Sequence, residues 1–302
     1  MTAKGGLVAL VCGASRGIGR GCALGLGEAG ATVWVTGRTE RDGAGVVSLS
    51  GSVQSTANAV NEAGGRGVAR VVDHTDDVAV EETIAELVAA EGQLDILVNA
   101  VWGGYERFVG VEPLSFGPFW EQPLAVWDSM HTRGVRTAYV ASALAARNMV
   151  GRGRGLIVSI SSFAAQTFIP PVAYGVAHSA IDRMVADMAY ELDGTGVTIV
   201  SLYPGIVRTE NVLANAEFFD LSNSESPEFV GRAIAHLAAD PTWAATTANR
   251  SSSRCSRPST ASPTSTAAVH GRYAPTCCKT LRHRRTPHRL PVAWGAADAF
   301  SA

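Results

Sequence analysis

Short apolar runs and amphipathic stretches take turns along the first 240 residues, and their order predicts a layered α/β fold. Leu7–Val11, Ala31–Thr36, Gly67–Val72, Leu94–Val98, Gly155–Ile160 and Gly196–Leu202 are mostly apolar and read as strands buried on both faces. Between them, Val80, Ile84, Leu87 and Val88 recur at helical spacing. So do Ile181, Met184, Val185, Met188 and Leu192, and again Phe229, Val230, Ile234 and Leu237. Further helices are expected over about 53–63 and 123–150, and Asp76 is placed to cap the helix that Val80 belongs to. Strand and helix in alternation make βαβ units. The expectation is one doubly wound parallel sheet over residues 1–245.

The turn after the first strand carries the first candidate chemistry. Gly13, Gly17 and Gly19 stand in a G-x-x-x-G-x-G spacing where a helix must begin. Lacking Cβ atoms, they let the chain turn tightly and bring backbone N–H groups to a pyrophosphate at the positive end of that helix. Gly13, Ser15, Arg16, Gly17, Ile18 and Gly19 form the candidate cradle of a Rossmann-type fold; a purely structural glycine turn is the plain alternative. The second strand ends at Gly37-Arg38. An acid there would bind the 2′-OH of NAD, whereas an arginine suits the 2′-phosphate of NADP. Arg38 points to NADP over NAD, Arg16 offers a second cation, and no Asp or Glu lies between Thr32 and Thr39. Asp73, just after the third strand, is placed for an adenine-edge contact. Asn99, at the end of the fourth, is expected to point into the crevice where open parallel sheets bind ligands.

Residues 101–126 interrupt the rhythm with aromatics, glycines and prolines and read as a substrate-side loop, although the same aromatics would equally close the core over the sheet. The fifth strand runs into Ser161-Ser162, and Tyr174 follows Ser162 by twelve residues near the start of a helix. His178 stands four residues after Tyr174, on the same helical face. A phenol exchanges a proton with a carbonyl or alcohol when a nearby cation lowers its pKa from about 10. A serine hydroxyl can orient the substrate oxygen. Ser162, Tyr174 and His178 are therefore the candidate catalytic set, and residues 211–227 are expected to form a flexible lid over it.

Cys12-Gly13-Ala14-Ser15-Arg16-Gly17-Ile18-Gly19, Asn99, Ser162, Tyr174-x-x-x-His178 and Tyr203-Pro204-Gly205-Ile206-Val207-Arg208-Thr209 together resemble the short-chain dehydrogenase/reductase family, over roughly residues 5–242. Phe119-Trp120-Glu121-Gln122-Pro123, Trp127-Asp128, Gly134-Val135-Arg136, Pro204-Gly205-Ile206-Val207 and Thr209-Glu210 resemble one subgroup of it. The resemblance implies hydride transfer between a nicotinamide and a small carbonyl or alcohol substrate, with Tyr174 as acid/base and Ser162 assisting. It also implies that Pro204, Gly205, Ile206 and Thr209 hold the nicotinamide end, and that helices 123–150 and 173–193 pair between subunits of a homo-oligomer.

Three residues depart from the family pattern. His178 stands where the family has a lysine that bonds the nicotinamide ribose and lowers the tyrosine pKa. A histidine, ordinarily near 6.5, is mostly neutral at pH 7, so activity is expected to fall or to move to lower pH. Asn99-Ala100 replaces a pair of asparagines, and Gly134 aligns with the asparagine of the usual catalytic tetrad. A nucleotide-binding protein with weak or lost catalysis is the alternative reading.

Composition narrows the classes further. With 46% hydrophobic and 17% charged residues, the chain suits a well-buried globular domain. The sequence has no apolar run long enough to span a membrane, its first run reads as a strand rather than a signal peptide, and five cysteines make no disulfide framework. The cytoplasm is the expected compartment. The net charge of −2 hides an asymmetry: residues 249–302 carry nine Lys+Arg and one acid, Asp298, for +8, leaving −10 on the rest. Ser, Thr, Pro and Arg dominate 246–302 with neither strand nor helix period, where the family would supply a seventh strand. An irregular basic tail, disordered or non-native, is expected, with the sheet edge bare. Cys277, Cys278, His283 and His288 match no common zinc spacing, and nothing folded presents the arginines to a polyanion. Neither a metal nor a nucleic acid is expected.

Overall fold

The computed structural model describes residues 6–43, 49–104, 117–240 and 268–270. Six parallel strands form its centre: β1 (Val8–Cys12), β2 (Thr32–Gly37), β3 (Arg66–Val71), β4 (Ile96–Asn99), β5 (Gly155–Ile160) and β6 (Val197–Tyr203). The helices are α1 (Gly17–Glu28), α2 (Val53–Glu62), α3 (Asp77–Glu91), α4 (Leu124–Met130), α5 (Thr137–Arg152), α6 (Val172–Glu191), α7 (Glu210–Ala214) and α8 (Pro227–Ala239). A two-stranded parallel pair, β7 (Ile206–Val207) and β8 (Ser224–Glu225), stands apart from the sheet, and β9 (Ala268–His270) joins its edge.

β1, β2, β4, β5 and β6 are mostly apolar because helices cover both faces, whereas the edge strand β3 carries Arg66 and Arg70 and is largely exposed. Successive side chains alternate between the two layers. Ala9, Val11, Val33, Val35, Val98 and Val158 pack with Cys22, Leu26, Val60 and Ile234 under α1, α2 and α8. Leu10, Trp34, Leu97, Ile157 and Ile199 pack with Leu87, Met149, Ile181 and Val185 under α3, α5 and α6. Local chemistry sets the helix starts. The Asp76 carboxylate accepts from the N–H groups of Val78 and Ala79 at 3.1 and 3.2 Å, and Ser226 accepts from Phe229 N–H ahead of α8.

The strand order β3-β2-β1-β4-β5-β6-β9 reverses between β1 and β4. At such a switch the connections leave to opposite sides and open a crevice beyond the carboxyl ends of the strands. Cys12 pairs with Asn99 in register there, so the glycine turn and the end of β4 face each other across its floor.

Two expectations are corrected, and a third gains detail. The long helix of 123–150 is interrupted: a π-helical turn, His131–Arg136, holds Gly134 between α4 and α5. Residues 211–227, expected as a flexible lid, carry regular structure: most of α7, a tight turn at Ala216–Phe218 and β8. The edge of β6 is also not bare. β9 lies antiparallel on it, pairing Ser201 with His270, Leu202 with Val269 and Tyr203 with Ala268, which satisfies part of the edge. The rest of the tail, including Cys277, Cys278, His283 and His288, lies outside the described residues, as does residue stretch 105–116 of the substrate-side loop.

Candidate active site

The cradle is built by backbone. Gly13 N–H and Ala14 N–H both donate to Thr36 O, at 3.0 and 2.8 Å, tying the turn to the end of β2. Gly13 has φ +79° and Gly17 φ +58°, left-handed values that admit glycine and strain most other residues. At the helix start, Gly17 N–H donates to the Glu210 carboxylate at 2.8 Å, and the Thr209 side chain lies alongside. That N–H therefore already binds an anion, and the segment 204–210 reaches the cradle through Glu210. Pro204 and Gly205 follow β6 directly; Gly205 N–H points to the Glu225 carboxylate at 3.3 Å, Ile206 lies in β7, and Thr209 caps α7 by accepting from Val212 N–H. Ser15 lends its carbonyl to Thr56, and Ile18 packs partly buried on the core under α1.

Arg16 is held at the end of β2, not over the turn. Its guanidinium donates to Thr39 Oγ1 at 3.3 Å and to Gly51 O at 3.2 Å, next to exposed Arg38. Asp73 lies within the field of Arg38 and accepts from Thr75 N–H and Oγ–H at 3.0 and 2.8 Å. Burial pushes its carboxyl up, but those bonds with the Arg38 and Arg133 charges take it below the ordinary carboxylate range.

Asn99 is a correction. Its side chain does not open into the crevice but turns inward, where Nδ2 donates to Ser142 Oγ at 2.9 Å and Ser159 Oγ at 3.3 Å. It joins β4, β5 and α5, and its Oδ1 is buried without a hydrogen bond. His74 behaves alike: its Nε2 meets Thr36 Oγ1 at 3.0 Å inside the protein.

At the other wall, Ser162 caps the short turn Phe163–Ala165, its Oγ accepting from Ala164 N–H at 3.2 Å. Its own O–H remains available to donate. The turn is fastened to α6 by Ser179, which donates to Ala165 O at 3.0 Å. Tyr203 completes the joint: its hydroxyl meets Asp182 of α6 and accepts from Gln166 at 3.3 Å. Tyr174, in the first turn of α6, is partly buried, and its ring meets His178 edge to face with centroids 4.5 Å apart.

His178 itself is only 5% exposed, and desolvation pushes its imidazole down to about 4. It is thus neutral across the physiological range and supplies no cation, so the expected shift of activity toward mildly acidic pH has no ionised histidine to carry it. His74 is pushed to about 4 as well, first by burial and then by the Arg38 charge, against the opposing pull of Asp73. Both folded values lie below the ordinary 6.5. The unfolded chain then binds more protons than the folded one between those values. This stability is fully present above pH 6.5 and is lost as pH falls toward 4. Unfolding in denaturant at pH 4.5 is expected to need about 2 kcal/mol less per histidine than at pH 7. Equal midpoints at the two pH values would contradict the buried, neutral assignment.

The family model for short chain dehydrogenase matches residues 7–217. The chain belongs to the short-chain dehydrogenase family. A mouse relative, dehydrogenase/reductase SDR family member 1, is 38% identical over 253 residues, covering 78% of this chain and 76% of that protein. It represents the subgroup that the segments around 119–136 resemble. Among solved structures, a short-chain dehydrogenase/reductase from Serratia marcescens is 31% identical with a TM-score of 0.65, covering 79% of this chain and 92% of that one. A metagenomic short-chain oxidoreductase in complex with NADP is 26% identical with a TM-score of 0.59, covering 78% of this chain and 90% of that one. This short-chain dehydrogenase is an oxidoreductase, built on the family's sheet.

Sequence reasoning missed two side chains at the site. Glu210 belongs to the subgroup resemblance, which gives it no contact, and only the fold brings it to Gly17. Trp102 was one aromatic among several in a loop; a ring near the end of β4, matched to a glycine at 134, was the available signal.

Proposed function

We propose that residues 1–245 transfer hydride between NADP(H) and a small carbonyl or secondary alcohol, with Tyr174 moving the proton and Ser162 orienting the substrate oxygen. The observation that supports this reading is that an anion-binding glycine turn follows β1, a donor-ready serine follows β5 and a phenol stands in the first turn of α6. The cradle fits a dinucleotide: Gly17 N–H holds a carboxylate, and a pyrophosphate would take its place as Glu210 swings away. Gly13, Ser15, Gly17, Ile18 and Gly19 would line the pyrophosphate, and Pro204, Gly205, Ile206 and Thr209 the nicotinamide end. When bound, the nicotinamide supplies or accepts the hydride. Tyr174 Oη gives a proton to the substrate oxygen in reduction and recovers it in oxidation. Ser162 O–H donates to the same oxygen, its lone pair already engaged by Ala164 N–H.

Arg38 and Arg16, flanking Thr39, favour NADP over NAD. Arg38→Glu is expected to weaken NADPH binding by about 10- to 100-fold, the worth of a charge-assisted bond, while NADH binding changes by less than about 3-fold. Titration of both cofactors checks it; parallel loss of both would remove Arg38 from the 2′-phosphate. A second reading, cofactor binding with weak or lost turnover, is favoured by the neutral, buried His178.

Exposed Tyr139 and Val150 on α5, with Val176 and Tyr190 on α6, support a homo-oligomer through these helices. Cys12 and Cys22 are free thiols, which supports a reducing compartment such as the cytoplasm. Among the described residues no helix is long and apolar enough to cross a membrane, and no group of three His, Cys, Asp or Glu could hold a metal.

A further inference from the structure

We propose that Trp102 is a positioning residue for the reacting centre: seated on the bare Cα of Gly134, its indole clamps Tyr174 and His178 into one three-ring unit. The proposal rests on the reading of Tyr174 as the proton-moving group.

The three rings touch pairwise. The indole lies parallel to the His178 imidazole, with centroids 4.4 Å apart and 10° between planes. It meets the Tyr174 phenol edge to face at 5.6 Å and 83°, and the phenol meets the imidazole at 4.5 Å and 74°. Offset-stacked and T-shaped arrangements are the favoured aromatic geometries, each worth about 0.5–1.5 kcal/mol beyond simple burial. Because Trp102 hangs from the loop after β4, whereas Tyr174 and His178 stand on α6, the indole sets the distance between two otherwise separate walls of the site.

The seat is specific. A Cβ on Gly134 would lie 2.6 Å from Trp102 Cζ3 and 2.8 Å from Cε3, closer than real contacts allow. The indole thus occupies the volume of any other side chain at 134, and the π-helical turn presents the glycine to it. Val126, Met130, Ala173 and Ala177 close the remaining sides.

The arrangement also carries a cost that plain core packing would avoid. Trp102 Nε1 and His178 Nδ1 are both buried without a hydrogen-bond partner. Unpaired buried polar atoms each cost about 1–3 kcal/mol, a penalty that an apolar side chain at 102 would not carry on its own account. A ring large enough to reach both partners, despite its orphaned N–H, fits a positional role.

The test uses the full chain, cofactor-free for NMR and loaded for kinetics. Trp102→Ala and Gly134→Ala are expected each to lower kcat about 10- to 30-fold with KM changed less than about 3-fold, since a loosened phenol is misplaced in the transition state. In both, the His178 imidazole, freed from its cover, should titrate nearer the ordinary 6.5 in NMR spectra. The double variant should be no worse than either single one, because both remove the same ring. Trp102→Phe, which keeps an aromatic in the seat, should retain at least about a third of kcat. Gly134→Ala with unchanged kcat and unchanged His178 titration would overturn the proposal, as would multiplicative losses in the double variant. If the wild-type chain turns nothing over, the reading of Tyr174 fails separately, and an unmoved His178 titration in Trp102→Ala would overturn the clamp as well.

Discussion

Gly19→Ala is expected to abolish measurable dinucleotide binding and to destabilise the fold by about 1–3 kcal/mol, the range for overpacking a tight site. A Cβ at 19 would stand 2.2 Å from Gly13 O, 2.8 Å from Gly13 C and 3.1 Å from Ala14 Cα. All three are backbone atoms, so no side chain can swing aside. The turn cannot retreat either, because Gly13 and Ala14 are bonded to Thr36 O. Relief must come from moving the start of α1, which carries the N–H groups that would hold a pyrophosphate. An affinity loss of at least about 100-fold, some 2.7 kcal/mol, is expected in a titration with NADPH. Gly151→Ala is the control: it lies in α5 with nothing within 4 Å of a new Cβ, and should leave binding unchanged. Wild-type affinity in Gly19→Ala would show that the glycine turn does not hold the cofactor.

Tyr174→Phe is expected to cost about 10²- to 10⁴-fold in kcat, the usual worth of a positioned acid/base, while NADPH binding stays within about 2-fold. The substitution removes one oxygen and leaves the ring, so its edge-to-face contacts with His178 and Trp102 survive. Loss of turnover with the fold and affinity intact would therefore assign the chemistry to the hydroxyl. A mutant as active as the parent would move the proton transfer elsewhere.

How much of this was legible in the sequence depends on range. The strands and most helices were, because burial on both sheet faces writes itself as apolar runs, and caps such as Asp76 act within a few residues. The glycine turn and Tyr174 near the start of α6 followed from the same local rules. What escaped was set by contacts across the fold. Asn99 was expected to face the crevice, but two buried serines, 43 and 60 residues away, draw its amide inward. Nothing near Trp102 indicates that it would stack on a histidine 76 positions later; the residue that permits it, Gly134, belongs to another element again. The π-helical turn is equally silent, since the helical periods on either side of it look continuous. β9 escaped because three residues in a Ser/Thr/Pro-rich stretch carry no period of their own, and only the open edge of β6 selects them.

The most direct test of the central claim is NADPH consumption by the purified full chain with a panel of small ketones, aldehydes and quinones. The account predicts saturable NADPH binding and carbonyl-dependent oxidation of the cofactor. Saturable NADPH binding without turnover of any substrate would contradict it, leaving a short-chain dehydrogenase fold that keeps its nucleotide cradle and has lost the reaction.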